Sequence, residues 1–358
     1  MAGFLEACQH CCYYCLRGLY WVPVGFVVLI LTWGYYVYVY TLHLSGEFVK
    51  PIPVSVLFLF IGHILLFLHV SSYARTILTK HKPVPSEFMP TDEQLDQMDT
   101  MEDSQPFIAQ LASSLPLNQV TRSGSVRYCA HCELIKPDRT HHCSTCGTCI
   151  LKMDHHCPWV NNCVGFSNYK YFYLFLFYTV VLSLWFCLSS LYDIVHLWRK
   201  DLKEGLASKF NVTFCFVILG VFGLSTSCLL FFHTYLIFTN KTTIESMDAP
   251  RTHRGPVKDL YYLGVRRNLR AIFGSNPFLA LLPVNTSEGN GASFPIKNHH
   301  HIAEYRSQRT GRTDTNNMEN GYTVVLTSNR DSGSESEVEI FAVDDRRTET
   351  VPLASSPQ

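Results

Sequence analysis

Seven cysteines lie between residues 129 and 163, and six of them form an internal repeat with two histidines. Each copy reads Cys-x2-Cys-x9-His-x6-Cys, and the second copy begins fourteen residues after the first. The first set comprises Cys129, Cys132, His142 and Cys149, and the second comprises Cys143, Cys146, His156 and Cys163. Three thiolates and one imidazole complete the tetrahedral shell that Zn²⁺ takes in closed structural sites. The spacing therefore predicts two structural zinc ions in one small, loop-rich module.

Cys157 is the cysteine of this block that neither set of ligands uses. Its Asp-His-His-Cys tetrad, residues 154–157, is closely related to Thr-His-His-Cys at 140–143, but Val160 stands where a second cysteine would follow. The other residues left outside the eight ligands are Asp154, His155 and His141. A thiol beside an imidazole and a carboxylate suits nucleophilic catalysis, because the base takes the thiol proton and the carboxylate orients the base. The alternative is that Cys157 is a spare structural cysteine.

The composition argues against a soluble protein. Hydrophobic residues make up 47% of the chain and charged residues 16%, against about 25% charged in typical globular chains. The formal net charge is zero, so no overall basic field draws the chain to nucleic acid. Four runs contain no Asp, Glu, Lys or Arg, namely Trp21–Gly46, Pro51–Ala74, Tyr171–Tyr192 and Phe210–Asn240. Since about 20 apolar residues cross the hydrocarbon core, we expect a mainly α-helical membrane protein with four transmembrane helices.

Four spans place both termini and the 75–170 loop on the same side of the membrane. Lysines and arginines near the span ends favour the cytosol for that side, although basic residues at 199–209 in the opposite loop weaken this argument. The thiols of the zinc sites must stay reduced, and the cytosol keeps thiols reduced. We therefore expect both termini and the zinc domain to be cytosolic.

The chain divides into seven segments. They are a cytosolic head (1–20), transmembrane helices 1 and 2 (21–75), a cytosolic linker (76–126), the zinc domain (127–169), transmembrane helices 3 and 4 (170–240), a cytosolic C-terminal region (241–284) and a polar tail (285–358) that we expect to be disordered. Within the linker, the sequence predicts one helix through Thr91–Leu115. For the juxtamembrane thiols, S-acylation and an idle state are both open; these are Cys11, Cys12 and Cys15. The histidines in the spans are expected to hydrogen-bond within the bundle rather than bind metal; these are His63, His69 and His233.

The Cys/His block and its flanks resemble the DHHC family of protein S-acyltransferases. The matching motifs of the cysteine-rich domain are Arg127-Tyr-Cys-x2-Cys132, Lys136-Pro-Asp-Arg139, His141-His-Cys143, Asp154-His-His-Cys-Pro-Trp159, Asn161-Asn-Cys163 and Gly165-Phe-x-Asn-Tyr169. Thr242-Thr-Ile-Glu245 resembles the family's TTxE motif, and Asn268 falls where its C-terminal motif places an asparagine. The stretch at 259–264 fits that last motif only loosely.

The resemblance implies a two-step palmitoyltransferase. Cys157 would attack the thioester of a long-chain acyl-CoA and then pass the acyl group to a substrate protein, with His155 as general base and Asp154 holding its ring. The implied substrate contacts are Trp159 and Pro158 at the mouth of an acyl tunnel, Gly34 and Leu182 at its deep end, and Lys136, Arg139 and His141 against the CoA phosphates. The implied structural supports are Thr242, Thr243, Glu245 and Asn268, with Thr243 hydrogen-bonded to Asp154.

The resemblance also implies the partners. They are two structural Zn²⁺ ions, acyl-CoA such as palmitoyl-CoA, the lipid bilayer and substrate proteins with membrane-proximal cysteines, without nucleic acid. Golgi, plasma membrane and endosomal membranes are all open. A non-enzymatic membrane adaptor and a ubiquitin-ligase-like zinc scaffold are the alternatives, but neither needs a spare thiol with a base beside it.

Overall fold

A computed structural model of the chain describes residues 18–45, 51–199 and 206–297, together with short strands at 317–319, 322–326, 340–344 and 351–352. The three juxtamembrane thiols at positions 11, 12 and 15 lie outside the described residues. The chain forms two units, Met1–Pro295 and Ile296–Gln358, and the first contains all the elements that concern function.

The first two long helices are apolar throughout. Helix α1 covers Val22–Tyr35 and continues as a π-helix over Tyr36–Leu44, and helix α2 covers Ile52–Leu78. Each begins with a proline in its first turn. Proline fits there because the first backbone N–H groups of a helix have no partner within the helix.

The linker that follows differs from the single helix predicted over Thr91–Leu115. Helix α3 (Asp92–Asp99) starts at a capping box in which Thr91 and Gln94 satisfy each other's backbone N–H groups. Helix α4 (Gln105–Leu111) starts separately, with Pro106 in its first turn. In one continuous helix, this proline would remove a backbone hydrogen bond and clash with the preceding turn. The one-helix prediction is therefore wrong, and the chain breaks at residues 100–104.

The cysteine-rich block folds as three two-stranded antiparallel hairpins. They pair β1 (Tyr128–Cys129) with β2 (Leu134–Ile135), β3 (His141–Cys143) with β4 (Thr148–Ile150), and β5 (His155–Cys157) with β6 (Asn162–Val164). Each turn has one residue with a positive φ at the same place, fourteen residues apart: Glu133 (50°), Gly147 (66°) and Asn161 (44°). The fourteen-residue repeat therefore extends to a third hairpin, which contains Cys157.

The remaining two long helices follow the hairpins. Helix α5 covers Tyr169–Leu197 and packs against both α2 and helix α6, which covers Leu206–Thr239. In the part of the chain that the structure describes, four helices are thus long and apolar enough to cross a membrane. The predicted fold class is confirmed: a mainly α-helical membrane protein with the cysteine-rich domain between the second and third spans.

A short C-terminal region follows the last span. It contains helix α7 (Thr243–Met247), the hairpin of β7 (Arg251–Thr252) and β8 (Gly255–Pro256), helix α8 (Val265–Phe273) and helix α9 (Pro277–Ala280). The side-chain amide of Asn268 donates a 2.7 Å hydrogen bond to the carbonyl oxygen of Phe238. This bond ties α8 to the end of α6.

The residues of the polar tail that the structure describes differ from the disorder expected over 285–358. Near its start, Thr286 accepts a 2.7 Å hydrogen bond from Lys170, and Ala292 is fully buried. Gly291 has a φ of 83° and lies so close to the Phe166 ring that a Cβ atom would meet it at 2.7 Å. Farther on, the strands β9 (Asn317–Glu319), β10 (Tyr322–Leu326), β11 (Ile340–Asp344) and β12 (Val351–Pro352) form an antiparallel sheet in the order β12-β11-β10-β9. Composition alone misses the packing of residues 285–295, because most of their side chains are small or polar and Phe294 packs against the distant Tyr261.

Candidate active site

The first predicted set of metal ligands comes together across two hairpins. The ligand atoms of Cys129, Cys132, His142 and Cys149 all lie within 4.8 Å of one another. The turn of the first hairpin supplies two sulfurs, at 3.6 and 3.2 Å from the His142 Nδ1 atom. The second hairpin supplies the other two residues, because its register places His142 opposite Cys149. This group could hold one metal ion.

The second set repeats this arrangement one hairpin later. Cys143, Cys146, His156 and Cys163 also have their ligand atoms within 4.8 Å of one another. The Sγ atoms of Cys146 and Cys163 are 3.5 Å apart, and His156 faces Cys163 in the register of the third hairpin. Because the second hairpin contributes residues to both groups, two metal ions would hold the three hairpins together. Three sulfurs and one imidazole nitrogen fit a tetrahedral zinc site.

Cys157 occupies in the third hairpin the position that Cys129 and Cys143 occupy in the first two. It pairs with Asn162, as Cys143 pairs with Thr148. Val160 stands where the second cysteine of a metal-binding pair would lie, and it is fully buried against the spans. Cys157 therefore lies in an apolar cluster that includes Val24 and Phe172 rather than at a metal site.

Asp154 and His155 form a hydrogen-bonded pair beside this thiol. The Asp154 Oδ2 atom is 2.6 Å from His155 Nδ1, and the carboxylate is fully buried. Thr243 donates its backbone N–H to Asp154 Oδ1 at 2.9 Å and its hydroxyl to Oδ2 at 2.7 Å, the contact that the family resemblance implies. Although burial by itself raises the pKa of Asp154, the hydrogen bond and positive charge of His155 lower it overall.

His155 lies between a carboxylate and a sulfur. Burial by itself lowers the pKa of its ring, but the hydrogen bonds to Asp154 and Cys157, and the negative charges of both, raise it to about 9. The imidazole thus keeps a proton at neutral pH. An imidazole that holds a proton this firmly can take one from the adjacent sulfur, which is the step that activates a cysteine nucleophile.

His233 joins this site from α6, and its part in the site was not expected from the sequence. The ligand atoms of Asp154, His155 and His233 lie within 4.8 Å of one another. The Nδ1 atom of His233 is 3.0 Å from the Tyr169 hydroxyl, and its ring is 5.0 Å from that of Phe172. Its hydrogen bond to α5 agrees with the role expected for the histidines of the spans. In the sequence, the one feature that pointed to a role for His233 was its position as a polar residue in an apolar run.

An apolar cavity of about 320 Å³ opens at Cys157 and runs among the four long helices. Phe26 of α1, His69 of α2, Phe172 of α5 and Leu219 of α6 all line it. The residues predicted for its deep end, Gly34 and Leu182, line it as well. The cavity thus connects the thiol to the interior of the helical bundle.

Trp159 lies at the mouth of the cavity and is 48% exposed. Its carbonyl oxygen accepts a 2.8 Å hydrogen bond from the Tyr73 hydroxyl, which ties the mouth to α2. Pro158 is exposed and begins the short 3₁₀ turn that contains Trp159. Both residues predicted for the mouth therefore lie next to Cys157.

Arg139 does not lie where a phosphate could reach it from solvent, and this corrects its predicted contact with CoA. Its side chain is 1% exposed and makes two hydrogen bonds of 2.8 and 2.7 Å to the Glu245 carboxylate. The guanidinium also stacks on the Tyr261 ring at 4.3 Å. The planar guanidinium binds a carboxylate through two parallel hydrogen bonds. In this buried ion pair Arg139 already binds an anion, the Glu245 carboxylate.

The other two residues predicted to contact CoA are half-buried. His141 lies on β3, where burial and the nearby positive charge of Arg127 lower its pKa to about 4. A neutral His141 offers no positive charge to a phosphate, which weakens its predicted contact. Lys136 follows β2 and keeps a partly exposed side chain.

The predicted structural supports lie around the end of α6. Thr242 and Glu245 form the capping box of α7, and the same Glu245 carboxylate pairs with Arg139. Thr243 connects this turn to Asp154, and Asn268 of α8 bonds to Phe238 at the end of α6. These contacts join the cysteine-rich domain to the C-terminal region beside the thiol.

Four membrane-spanning helices, two Cys/His groups and a spare cysteine at an apolar cavity define a multi-pass membrane protein with a metal-binding cysteine-rich domain. The profile of the DHHC palmitoyltransferase domain matches residues 122–250. Palmitoyltransferase ZDHHC20-B of Danio rerio is 43% identical over 79% of this chain and 85% of its own length. Palmitoyltransferase ZDHHC2 of Mus musculus is 40% identical over 78% and 77%, and Palmitoyltransferase ZDHHC20 of Homo sapiens is 39% identical over 79% and 78%. The chain belongs to the DHHC palmitoyltransferase family.

Proposed function

We propose that this protein is a protein S-palmitoyltransferase that carries the acyl group on Cys157 between acyl-CoA and a substrate protein. The observation that carries this proposal is the position of Cys157. Its hairpin has the same form as the two that contribute to the metal-binding groups, but it lacks the second cysteine. The thiol lies next to the Asp154–His155 pair and at the opening of an apolar cavity. A long acyl chain in that cavity gains about 0.8 kcal/mol per buried methylene.

In the first step, the Cys157 sulfur attacks the thioester carbonyl of acyl-CoA after its proton has passed to His155. The new sulfur–carbon bond forms as the bond to the CoA sulfur breaks, and His155 returns its proton to the leaving thiolate. In the second step, a thiol of the substrate protein gives its proton to His155 and attacks the acylated Cys157. Cys157 then regains the proton, so the enzyme returns to its starting state.

Asp154 would act in both steps by holding the His155 ring and stabilising its positive charge. The two hydrogen bonds from Thr243 fix the carboxylate in turn. His233 and Tyr169 would pack the other side of this pair. The tight hydrogen-bond network supports a fixed position for the base, which proton transfer at one sulfur needs.

Two Zn²⁺ ions would occupy the Cys/His groups as structural ions and keep the three hairpins in register. The CoA phosphates would lie outside the mouth, with Lys136 as a contact and Trp159 beside the thioester. We place both termini and the cysteine-rich domain in the cytosol, which suits substrate cysteines close to a membrane surface. Golgi, plasma and endosomal membranes are all consistent with this arrangement.

Transfer from labelled palmitoyl-CoA to an acceptor peptide, together with zinc content, tests this proposal. In the purified protein, Cys157→Ser should lose the hydroxylamine-sensitive label on the enzyme and all transfer to the peptide, with two zinc ions per chain retained. Cys187→Ser, in the α5 span and outside the cavity, should keep both. Zinc loss in Cys157→Ser would make Cys157 a metal ligand, and full transfer by that variant would point to another nucleophile. No transfer by the wild-type protein would leave the membrane adaptor.

A further inference from the structure

The wall of the cavity contains a buried polar atom to which the described residues give no hydrogen-bond partner, the Nε2 atom of His69. His69 is 2% exposed and lines the cavity from α2. Its ring packs against the rings of Tyr73 and Phe175, at 6.5 and 5.4 Å. A buried polar atom without a partner is destabilising, so it points to a group that the bound state supplies.

The contacts of His69 define what kind of group would fit. Its Nδ1 atom is 3.4 Å from the hydroxyl oxygen of Thr179, and that hydroxyl donates its own hydrogen to the carbonyl oxygen of Phe175 at 2.7 Å. The Thr179 oxygen can therefore only accept, which assigns the proton of a neutral His69 ring to Nδ1. A charged ring would be an unpaired charge in an apolar wall. The Nε2 atom is thus an acceptor, and its partner must donate a hydrogen bond.

His69 lies part-way down the cavity rather than at either end. It lies four residues deeper than Tyr73, about 6 Å along the helix axis, and the Tyr73 hydroxyl holds the mouth at Trp159. On α5, its neighbour Thr179 lies between Phe172 near the thiol and Phe186 at the far side of the cavity. A donor carried by the acyl chain would therefore reach Nε2 from the middle of the chain.

We propose that His69 is a specificity residue that accepts a hydrogen bond from a hydroxyl group in the middle of the acyl chain. The inference rests on the proposed acyl-transfer function and adds a substrate class, hydroxylated long-chain acyl-CoA. A bound water is a poorer partner for Nε2, because a buried water needs two to four polar neighbours and the ring contacts of His69 are aromatic. The hydroxyl of a chain that already fills the cavity needs only this acceptor.

The test compares palmitoyl-CoA with chains of the same length that carry a mid-chain hydroxyl, a mid-chain ketone or a terminal hydroxyl. A ketone has the polarity of an alcohol but cannot donate, so it isolates the hydrogen bond. In the wild type, we expect the mid-chain hydroxyl to be used about tenfold better than the ketone. A terminal hydroxyl does not reach His69, so the chain that carries it should be used no better than the mid-chain ketone.

His69→Leu should reduce the ratio of hydroxyl to ketone rates to about one. His63→Leu is the matched control, because His63 lines the same cavity from the same helix while its nitrogens already contact Leu59 and Tyr35. This control should keep the wild-type ratio. A wild-type ratio of one, or an equal loss in both variants, would overturn the assignment of His69.

The failure of this inference is distinguishable from the failure of the proposed function. A second ratio needs no turnover: the thermal stabilisation of the purified protein by the hydroxyl-bearing acyl-CoA, divided by that given by the ketone-bearing one. If plain palmitoyl-CoA supports no transfer, the proposed function fails, and the stabilisation ratio still decides the role of His69. If palmitoyl transfer is normal and both ratios equal one, only the role of His69 fails.

Discussion

Cys143 and Cys157 hold the same position in neighbouring hairpins, yet their sulfurs have different surroundings. Cys143 faces Cys146 and His156 in a group that could hold a metal ion, whereas Cys157 has Val160 in place of the second cysteine. The difference at one position leaves Cys157 outside the groups that could hold a metal ion, with the His155 imidazole beside its sulfur. The chemistry of the site then depends on the Asp154–His155 pair.

Asp154→Asn should slow the acylation of Cys157 by on the order of 10²–10⁴-fold. The amide is similar in size but neutral, so it removes the charge that keeps the proton on His155. Initial rates of enzyme acylation from labelled palmitoyl-CoA would measure the effect, with zinc content as a check on folding. Asp96→Asn, on an exposed position of α3, is the control and should keep the wild-type rate. A twofold effect in Asp154→Asn would contradict the role of the pair.

The repeat alone was enough to predict which residues come together in the two groups that could hold metal ions, and which cysteine is left over, because both follow from local spacing. The position of His233 beside Asp154 was not predictable in this way. It depends on the packing of α6 against α5, and the two residues are far apart in sequence. The burial of Arg139 escaped prediction for the same reason, since its partner Glu245 lies beyond two spans.

Three hairpins and the turn after the last span form one interlocked element. The Arg139–Glu245 ion pair is its central contact, with both side chains buried, and Thr243 of the same turn holds Asp154. The position of the Asp154 carboxylate therefore depends on a segment about ninety residues away in sequence. The family motif around Thr242 marks this turn in the sequence, but only the structure gives its partners.

Arg139→Met should lower the free energy of unfolding by roughly 3–5 kcal/mol, because it leaves the Glu245 carboxylate buried without a partner. Chemical unfolding in detergent, followed by tryptophan fluorescence, would measure the change. Arg122→Met is the matched control. Arg122 pairs with Asp248, but these side chains are 78% and 53% exposed. Exposed pairs contribute at most about 1 kcal/mol. Equal losses in the two variants would contradict the structural role of the buried pair.

At the level of elements, the four spans were predictable because their runs are long and uncharged. The break between α3 and α4 was not predicted, although Pro106 marks it in the sequence. The third hairpin was also missed as an element, because only metal-binding residues were used to define the repeat. Its turn residue, Asn161, adopts the same left-handed conformation as Glu133 and Gly147.

The whole molecule combines a cysteine-rich domain that holds the thiol and a helical bundle that contains the apolar cavity. Contacts such as Tyr73 to Trp159 and Asn162 to the carbonyl oxygens of α2 join the two parts at the mouth. The depth of the cavity would then set which acyl chains can reach Cys157. Gly34 is the residue best placed to change that depth.

Gly34→Leu should shift the acyl preference towards shorter chains. A Cβ atom at Gly34 would lie 3.5 Å from Leu219 Cδ1, so a larger side chain must occupy the cavity. We expect the ratio of stearoyl to myristoyl transfer to fall at least about tenfold, as for the loss of a methylene-sized space. Gly25→Leu is the control on the same helix, because a Cβ atom there meets open space. A sharp cutoff at myristoyl in the wild type would contradict the deep cavity.

Mapping the acyl group on the wild-type protein would show directly whether Cys157 carries it. The purified protein would be incubated with palmitoyl-CoA without an acceptor, digested and analysed by mass spectrometry. We expect one hydroxylamine-sensitive palmitoyl group on the peptide that contains Cys157. Palmitate on Cys146 or another cysteine of the module, with Cys157 unmodified, would contradict it.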